Sequence, residues 1–553
     1  MLSILLNWLY VTLTVFLIGF WAVKMFEKFF AYQLKRIDEI IVTGMVLVTT
    51  YVQAFSLFYK VGFVANLVLC VISLVCLYLY KSEIKQYLQV FAKSKNIFKT
   101  IVFFVLLLIV CYFTSRGYEH YDTGLYHAQA IHWIEEYGII PGLSNLHYRL
   151  AYNSSAFSVT ALYSFAFMLG RSLHTLSGYF VGILLLAIVG GFRKPTSCKL
   201  RISDFIRIAA LYYITMTFAS LNSPSSDYFA LSMVLYILLK YADHLEQGGD
   251  LDSSVSYFGW IALIACFAIT LKISVAPIIL VVILPAYMLL KRKEWKKIAG
   301  FVVIGVIMVV PYFTRGVILS GWLLYPSTII DLFSFDFKIH EDVANADQLA
   351  VMLWGRNADY GDTLLVWIPK WFASISSSIE KILVLLDVVA VFSLISVWIY
   401  EAVCKKWKLY QLVLDITIVA GLLFWFFSAP LMRYGCAYVL VMAFYGIGRM
   451  IQYFSWKWVH KISVIVCILL ACYKSVSTIQ FITVFASYDN YIWQQDYIRY
   501  ETREVIVNGI TFYEADDTDQ MGYYDFPGTI TVDECEMKGT TLEEGFIYKP
   551  KNS

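Results

Sequence analysis

Charge is scarce in this sequence. Asp, Glu, Lys and Arg make up 15% of its 553 residues, while 60% are hydrophobic and 17% aromatic; an ordinary soluble domain carries roughly 25% charge. A water-soluble fold has no means of hiding that much apolar surface, so the shortage excludes one. An excess of either sign is missing too. The balance of 43 Lys and Arg against 40 Asp and Glu leaves a net charge of +3, which excludes a strongly basic nucleic-acid binder, and no nucleic-acid partner is expected. The ten cysteines lack the paired spacing of a zinc site or a disulfide framework. All ten stand singly, most of them in apolar runs such as those of Cys70, Cys76, Cys111, Cys266 and Cys467, and read as small core hydrophobes. The opening MLSILLNWLYVTLTVFLIGFWAVK has no basic first region and no small-residue cleavage site, so it reads as a retained first span. Short-period repeats and low-complexity tracts are absent as well.

What the sequence has in abundance is apolar runs. A bilayer core takes about 20 apolar residues per helix, with roughly 17 at the lower end. About fourteen candidates follow, near residues 4–23, 39–58, 62–80, 98–115, 173–192, 205–221, 227–241, 257–271, 275–290, 298–314, 381–402, 410–428, 435–453 and 462–480. The basic segments test this count. Lys24/Lys28/Lys35/Arg36, Lys81/Lys85/Lys93/Lys95/Lys99, Arg193/Lys194/Lys199/Arg201/Arg207, Lys291/Arg292/Lys293/Lys296/Lys297, Lys405/Lys406/Lys408 and Lys457/Lys461 all fall on the cytoplasmic side of one topology. They do so only if the apolar stretch 154–170 does not cross, since a crossing there would carry Arg193 and its neighbours outside. That stretch is expected to be interfacial or re-entrant. Both termini then face outward, together with two long loops, 116–172 and 315–380, and a C-terminal segment, 481–553. In that segment VIVNGITFY sets Asn508-Gly509 between alternating apolar residues, a hairpin signal, so a small α/β or β-containing outer module is expected.

The first outer loop is the densest polar cluster. It reads RGYEHYDTGLYHAQAIHWIEEYGIIPGLSNLHYRLAYNSS from Arg116 and holds His120, His127, His132 and His147 with Glu119, Asp122, Glu135, Glu136 and Arg149. From Thr123 onward Leu125, Ala128, Ile131 and Ile134 recur every third position and Gln129, His132 and Glu135 take another face, the pattern of an amphipathic helix lying in the membrane interface. Asp122 precedes this helix, where an aspartate serves either as an N-cap or as a free carboxylate able to remove a proton. The histidine spacings match no standard zinc pattern, which leaves hydrogen bonding or sugar contact. Asp227, in NSPSSDYF at the outer boundary, reads as a capping turn or as a second functional acid. Lys272 at the end of another span either binds phosphate or snorkels to headgroups. Arg433, in PLMRYG, suits bidentate phosphate binding.

These loops resemble the GT-C class of membrane glycosyltransferases, in particular bacterial relatives of the protein O-mannosyltransferases and of the lipid A aminoarabinose transferase. The resemblance is carried by Asp122, Tyr126 and His127, by Asn153-Ser154-Ser155 before the next apolar stretch, by Arg315 with Gly321 and Tyr325-Pro326, and by Pro430 with Arg433-Tyr434. It extends from about residue 98 to the C-terminus. It implies an all-α polytopic GT-C-like membrane domain over 98–480, in a bacterial inner or plasma membrane, transferring a sugar from a polyprenyl-phosphate donor to a glycan, lipid or protein acceptor on the outer face. Asp122 would be the base, and Glu119, Tyr126, His127, His132 and Asp227 would contact acceptor or sugar. Lys272, Arg315, Arg433 and Tyr434 would hold the donor phosphate, while membrane lipids surround the whole.

Two departures from the class stand out. The catalytic loop follows the fourth span here instead of the first, so residues 1–97 read as a three-helix addition, and Trp322-Leu323 replace the usual middle of the Arg315 turn. No Asp-x-Asp pattern is present, so the resemblance fixes no cofactor and leaves a divalent metal open. The alternatives are a polysaccharide polymerase or ligase, and a lipid-linked glycan transporter or flippase; the latter should show two similar halves and mid-membrane charges, which the sequence lacks.

Overall fold

The protein, seen as a computed structural model, is described over residues 1–94, 96–192, 200–246, 254–454, 457–484, 490–533 and 535–548. The apolar runs fold as helices: α1 (Leu2–Phe30), α2 (Ile37–Phe55), α3 (Phe63–Ser94), α4 (Ile97–Ser115), α5 (Ala128–Glu136), α6 (Ser155–Tyr163), α7 (Ala166–Leu169), α8 (Leu176–Gly190), α9 (Ile202–Thr217), α10 (Ser226–Glu246), α11 (Val255–Leu271), α12 (Ile283–Arg292) and α13 (Trp295–Ser320). After these come α14 (Glu341–Arg356), α15 (Leu364–Ser374), α16 (Ser378–Val403), α17 (Leu409–Ser428), α18 (Met432–Ile451) and α19 (Lys457–Val484). Among the described residues eleven helices are long and apolar enough to cross a membrane, the composition of a multi-pass membrane protein. The remaining expected spans also fold as helices. α8 and α11 have only 15 and 17 residues, and α10, with 21, carries Asp227, Lys240 and Asp243. All three are enclosed by other helices along most of their length, so lipid imposes neither length nor apolarity on them.

The stretch 154–170 does not reach across. α6 has nine residues, about 13 Å at 1.5 Å per residue, and the chain turns back at Phe165, whose φ is 54°. Ser154 Oγ donates to Leu271 O at 2.6 Å, and Leu173 N–H returns to Ser164 O at 2.9 Å.

Two ends of the bundle are distinguishable. At one, Met1, Leu2 and Ser3 donate backbone hydrogen bonds to Asn490, Tyr491 and Ile492, and Gln494 bridges the Thr114 carbonyl of α4 and the His174 carbonyl before α8. Both termini of the described chain therefore lie at this end, with the loops that carry Asp122, Asp227 and Lys272. At the opposite end Lys240 sits 2.9 Å from Asp38 and 2.7 Å from Glu39, Arg36 meets Asp38 at 2.9 Å, and Arg207 bridges Asp204 and Asp243. Charges inside such a bundle persist only when paired. Of the expected basic segments, Lys95, Arg193, Lys194 and Lys199 lie outside the described residues. α1 and α2 cross so closely that a Cβ on Gly44 would stand 1.8 Å from Val15 O, and one on Gly19 2.1 Å from Ile40 O, the small-residue packing that lets membrane helices touch backbone to backbone.

Of the cysteines, Cys76 and Cys111 are buried and Cys70 and Cys266 half-buried; Cys404 and Cys472 are exposed, which corrects the core reading for those two, and the Cys467 side chain lies outside the described residues. The C-terminal segment contains the expected hairpin. β1 (Thr502–Val507) and β2 (Ile510–Ala515) pair antiparallel, with Val507 opposite Ile510, and Asn508 and Gly509 take φ of 53° and 83°, as a type I′ turn requires. β3 (Gly528–Thr529) adds in parallel, and β4 (Cys535–Met537) and β5 (Phe546–Tyr548) form a separate pair.

Candidate functional site

The loop after α4 enters helix at residue 121 and is interrupted by one π-helical turn, Thr123–His127, before α5. Such an inserted residue re-aims side chains and is frequent at functional sites. Asp122 already has helical dihedrals and its side chain caps nothing. Its carboxylate faces Arg433 Nη2 at 3.1 Å, with His120 Nδ1 at 3.8 Å. Arg433 is placed by the break at Pro430, which starts α18 and leaves the guanidinium in its first turn; it also reaches His120 Nε2 and donates to Tyr434 OH at 2.8 Å. Lys272 sits where α11 breaks, in extended backbone. Its ammonium lies 2.5 Å from Asp227 Oδ1 and 4.5 Å from the centre of the Tyr434 ring.

Asp122, Arg433, Tyr434, Lys272 and Asp227 thus form one continuous array, drawn from loops and span ends far apart in sequence. The two cations are the more open members: Arg433 and Lys272 side chains are 33% and 24% exposed, against 12% and 5% for Asp122 and Asp227. The accessible side is therefore cationic, although the four formal charges cancel. His120 and His127 flank the array. Burial first, then the Arg433 charge, lowers the His120 pKa, and burial drives His127 well below the usual imidazole range, so both are neutral at pH 7. His127 packs edge-on against Tyr126, which lies 5.5 Å from Tyr152.

Three of the residues singled out in the sequence are placed elsewhere. Glu119 Oε2 accepts the Ile498 N–H at 2.9 Å, and burial raises its carboxyl to about 7. His132 is stacked between Tyr523 and Phe526, at 4.3 and 4.1 Å. Both hold the C-terminal segment. The helix expected in the membrane interface is instead covered by that segment. Gln129 bonds the backbone of Gly522, Asp525 and Gly528, and Glu135 accepts from Tyr523 OH and from Ser172. A polar helical face meets protein backbone here as readily as water, and periodicity does not tell the two apart.

Arg315 is the third. It is fully enclosed and donates to Ser56 Oγ at 2.5 Å and Gly138 O at 3.1 Å, away from Arg433 and Lys272. Ser56 ends α2 and Gly138 ends α5, so two helix C-termini, each carrying partial negative charge, converge on the guanidinium.

One residue at this end had not been anticipated. Asp347 of α14 is buried, accepts from Tyr152 OH at 2.6 Å, and has its pKa raised by that burial. Through Tyr152 it ties the loop between α13 and α16 to Tyr126. A lone aspartate on the Ala344 face of an amphipathic helix was the available signal.

Among the described residues no group of three His, Cys, Asp or Glu side chains is arranged to hold a metal ion. Asp122 and Asp227 are each engaged by a cation, Arg433 and Lys272. The family described as Domain of unknown function (DUF8201) matches residues 1–440, a range that contains the whole array and stops short of the C-terminal segment. No curated protein and no solved structure matches the chain.

Proposed function

The chain belongs to the DUF8201 family, and we propose that it is a membrane glycosyltransferase that moves a sugar from a polyprenyl-phosphate donor to an acceptor hydroxyl at the outer face. In this reading fourteen helices cross the membrane in a GT-C-like arrangement, both termini are extracytoplasmic, and the donor's lipid tail runs in the bilayer. The observation that carries it is the array itself: a carboxylate, Asp122, held against the partly exposed arginine of a cationic face at one end of the helix bundle.

The donor phosphate takes Arg433 and Lys272, competing with Asp122 and Asp227 for them. Asp122, freed from its ion pair, accepts the proton of the acceptor hydroxyl as that oxygen bonds to the anomeric carbon. The bond from the anomeric carbon to the phosphate oxygen breaks, and its electron pair leaves with the phosphate, whose added charge Arg433 and Lys272 neutralise. One base and no covalent nucleophile invert the anomeric centre. Asp122 returns its proton to water.

The test is glycan and glycolipid profiling by mass spectrometry in cells lacking the protein, complemented with wild type or with Asp122→Asn at equal expression. Loss of one sugar, restored by wild type alone, is expected. Full complementation by Asp122→Asn would remove the base from this reading. Loss of long glycan with every monosaccharide linkage retained would favour a polymerase or ligase.

A further inference from the structure

At the opposite end of the bundle from Asp122, the ends of α9, α10, α16, α17 and α18 line an open cavity of about 470 Å³, with Lys406 and Lys408 exposed at its edge, within the usual range of small-molecule sites. Its floor is the ion-pair network of Arg449, which meets Glu401 at 2.9 Å and Asp415 at 3.1 Å. The acidic groups of the wall are already hydrogen-bonded, Glu401 through one of its two oxygens. Both oxygens of Glu246 accept from Ser203, through its backbone N–H and its hydroxyl, and Glu401 Oε1 accepts from Arg449 and Tyr453 OH. Asp415 is saturated by Trp398, Gln411, Tyr445 and Arg449.

The basic groups of the wall are not committed in the same way. Lys406 donates only to Tyr400 OH, at 3.2 Å, and Lys408 lies 5.9 Å from the centre of the Tyr410 ring; among the described residues neither is ion-paired. With Tyr410 and Gln452 beside them, the groups of this wall still free to bond are mostly donors. A donor-rich cavity with two unspent ammonium groups selects an anion, and one rich in oxygen acceptors.

We propose that this cavity binds the phosphate of a glycerol phosphate, either as a soluble ester or as the headgroup of an acidic phospholipid, through Lys406 and Lys408. The site is separate from the transferase array and does not depend on its chemistry.

Native mass spectrometry of the full chain, stripped of lipid in a neutral detergent, tests this with two probes, glycerol 3-phosphate and dioleoylphosphatidylglycerol. One bound equivalent is expected, weakened about tenfold for each lysine removed in K406Q/K408Q, and unchanged in K291Q/K293Q, a pair of exposed lysines at the C-terminal end of α12. Retention of glycerol 3-phosphate identifies a soluble ester, and retention of the phospholipid alone identifies a headgroup; either supports the site. Equal binding by wild type and K406Q/K408Q, equal loss in both double variants, or no binding of either probe overturns it.

Discussion

Lys240 lies between Asp38 and Glu39 with 2% of its side chain exposed, whereas Arg433 faces Asp122 with 33% exposed. The pairs are chemically alike and their settings opposite. The first joins two helices, and its loss would strand charge in a dry interior. The second joins a loop to a helix start, at a surface where an anion in solution can compete for the guanidinium. Pairing alone therefore says little about role; what separates structure from chemistry is whether a partner can be exchanged.

The comparison breaks most sharply at Lys240. Lys240→Met should destabilise the folded protein by about 3–5 kcal/mol, read as a lowered midpoint of thermal unfolding in detergent; an unchanged midpoint would place the pair with that of Asp122 and Arg433. Asp122→Asn should leave that midpoint nearly unmoved while lowering transfer by roughly 10²- to 10⁴-fold, measured as product formed per folded molecule. A drop in both would make Asp122 a structural partner like Asp38.

A third test uses Glu135, which burial raises to about 7. Between its unfolded value near 4.3 and about 7, the unfolded chain has lost this proton and the folded chain keeps it, so its contribution to stability falls as pH rises through that window and levels off above it. Hydrogen exchange over residues 520–528, which Glu135 holds through Tyr523, should be faster at pH 8 than at pH 5 after correction for intrinsic rates; equal protection would mean the carboxyl is ionised when docked. The smallest effect is expected at Lys60, half-exposed and 3.6 Å from Glu136. Lys60→Gln should change stability by no more than about 1 kcal/mol.

Much of the helical framework was legible because apolar length is a local property. The failure of 154–170 to cross could be read from charge balance alone, since counting it would have sent Arg201 and Arg207 outside. The hairpin at Asn508-Gly509 was legible because its turn needs positive φ at two adjacent residues. The side chains of the array could be chosen by type, as an acid at a loop start and cations at span ends, but their partners could not. Nothing local links Asp122 to Arg433, or Lys272 to an aspartate 45 positions earlier. Glu119, His132 and Arg315 show the converse. Each has the right chemistry at the right end of the molecule, and each is bound to backbone or ring that only the tertiary fold supplies.

The bonds from Met1, Leu2 and Ser3 to residues 490–492 impose an order on assembly. At roughly 5–20 residues per second, the segment that receives the start of α1, 489 positions on, leaves the ribosome about 25 to 100 s after it. From the synthesis of α5 to the end of that interval Gln129, His132 and Glu135 have no cover. The end of the bundle that carries the array is therefore covered late, and a chain stalled beyond α18 would carry every residue of the array while lacking the segment that covers α5.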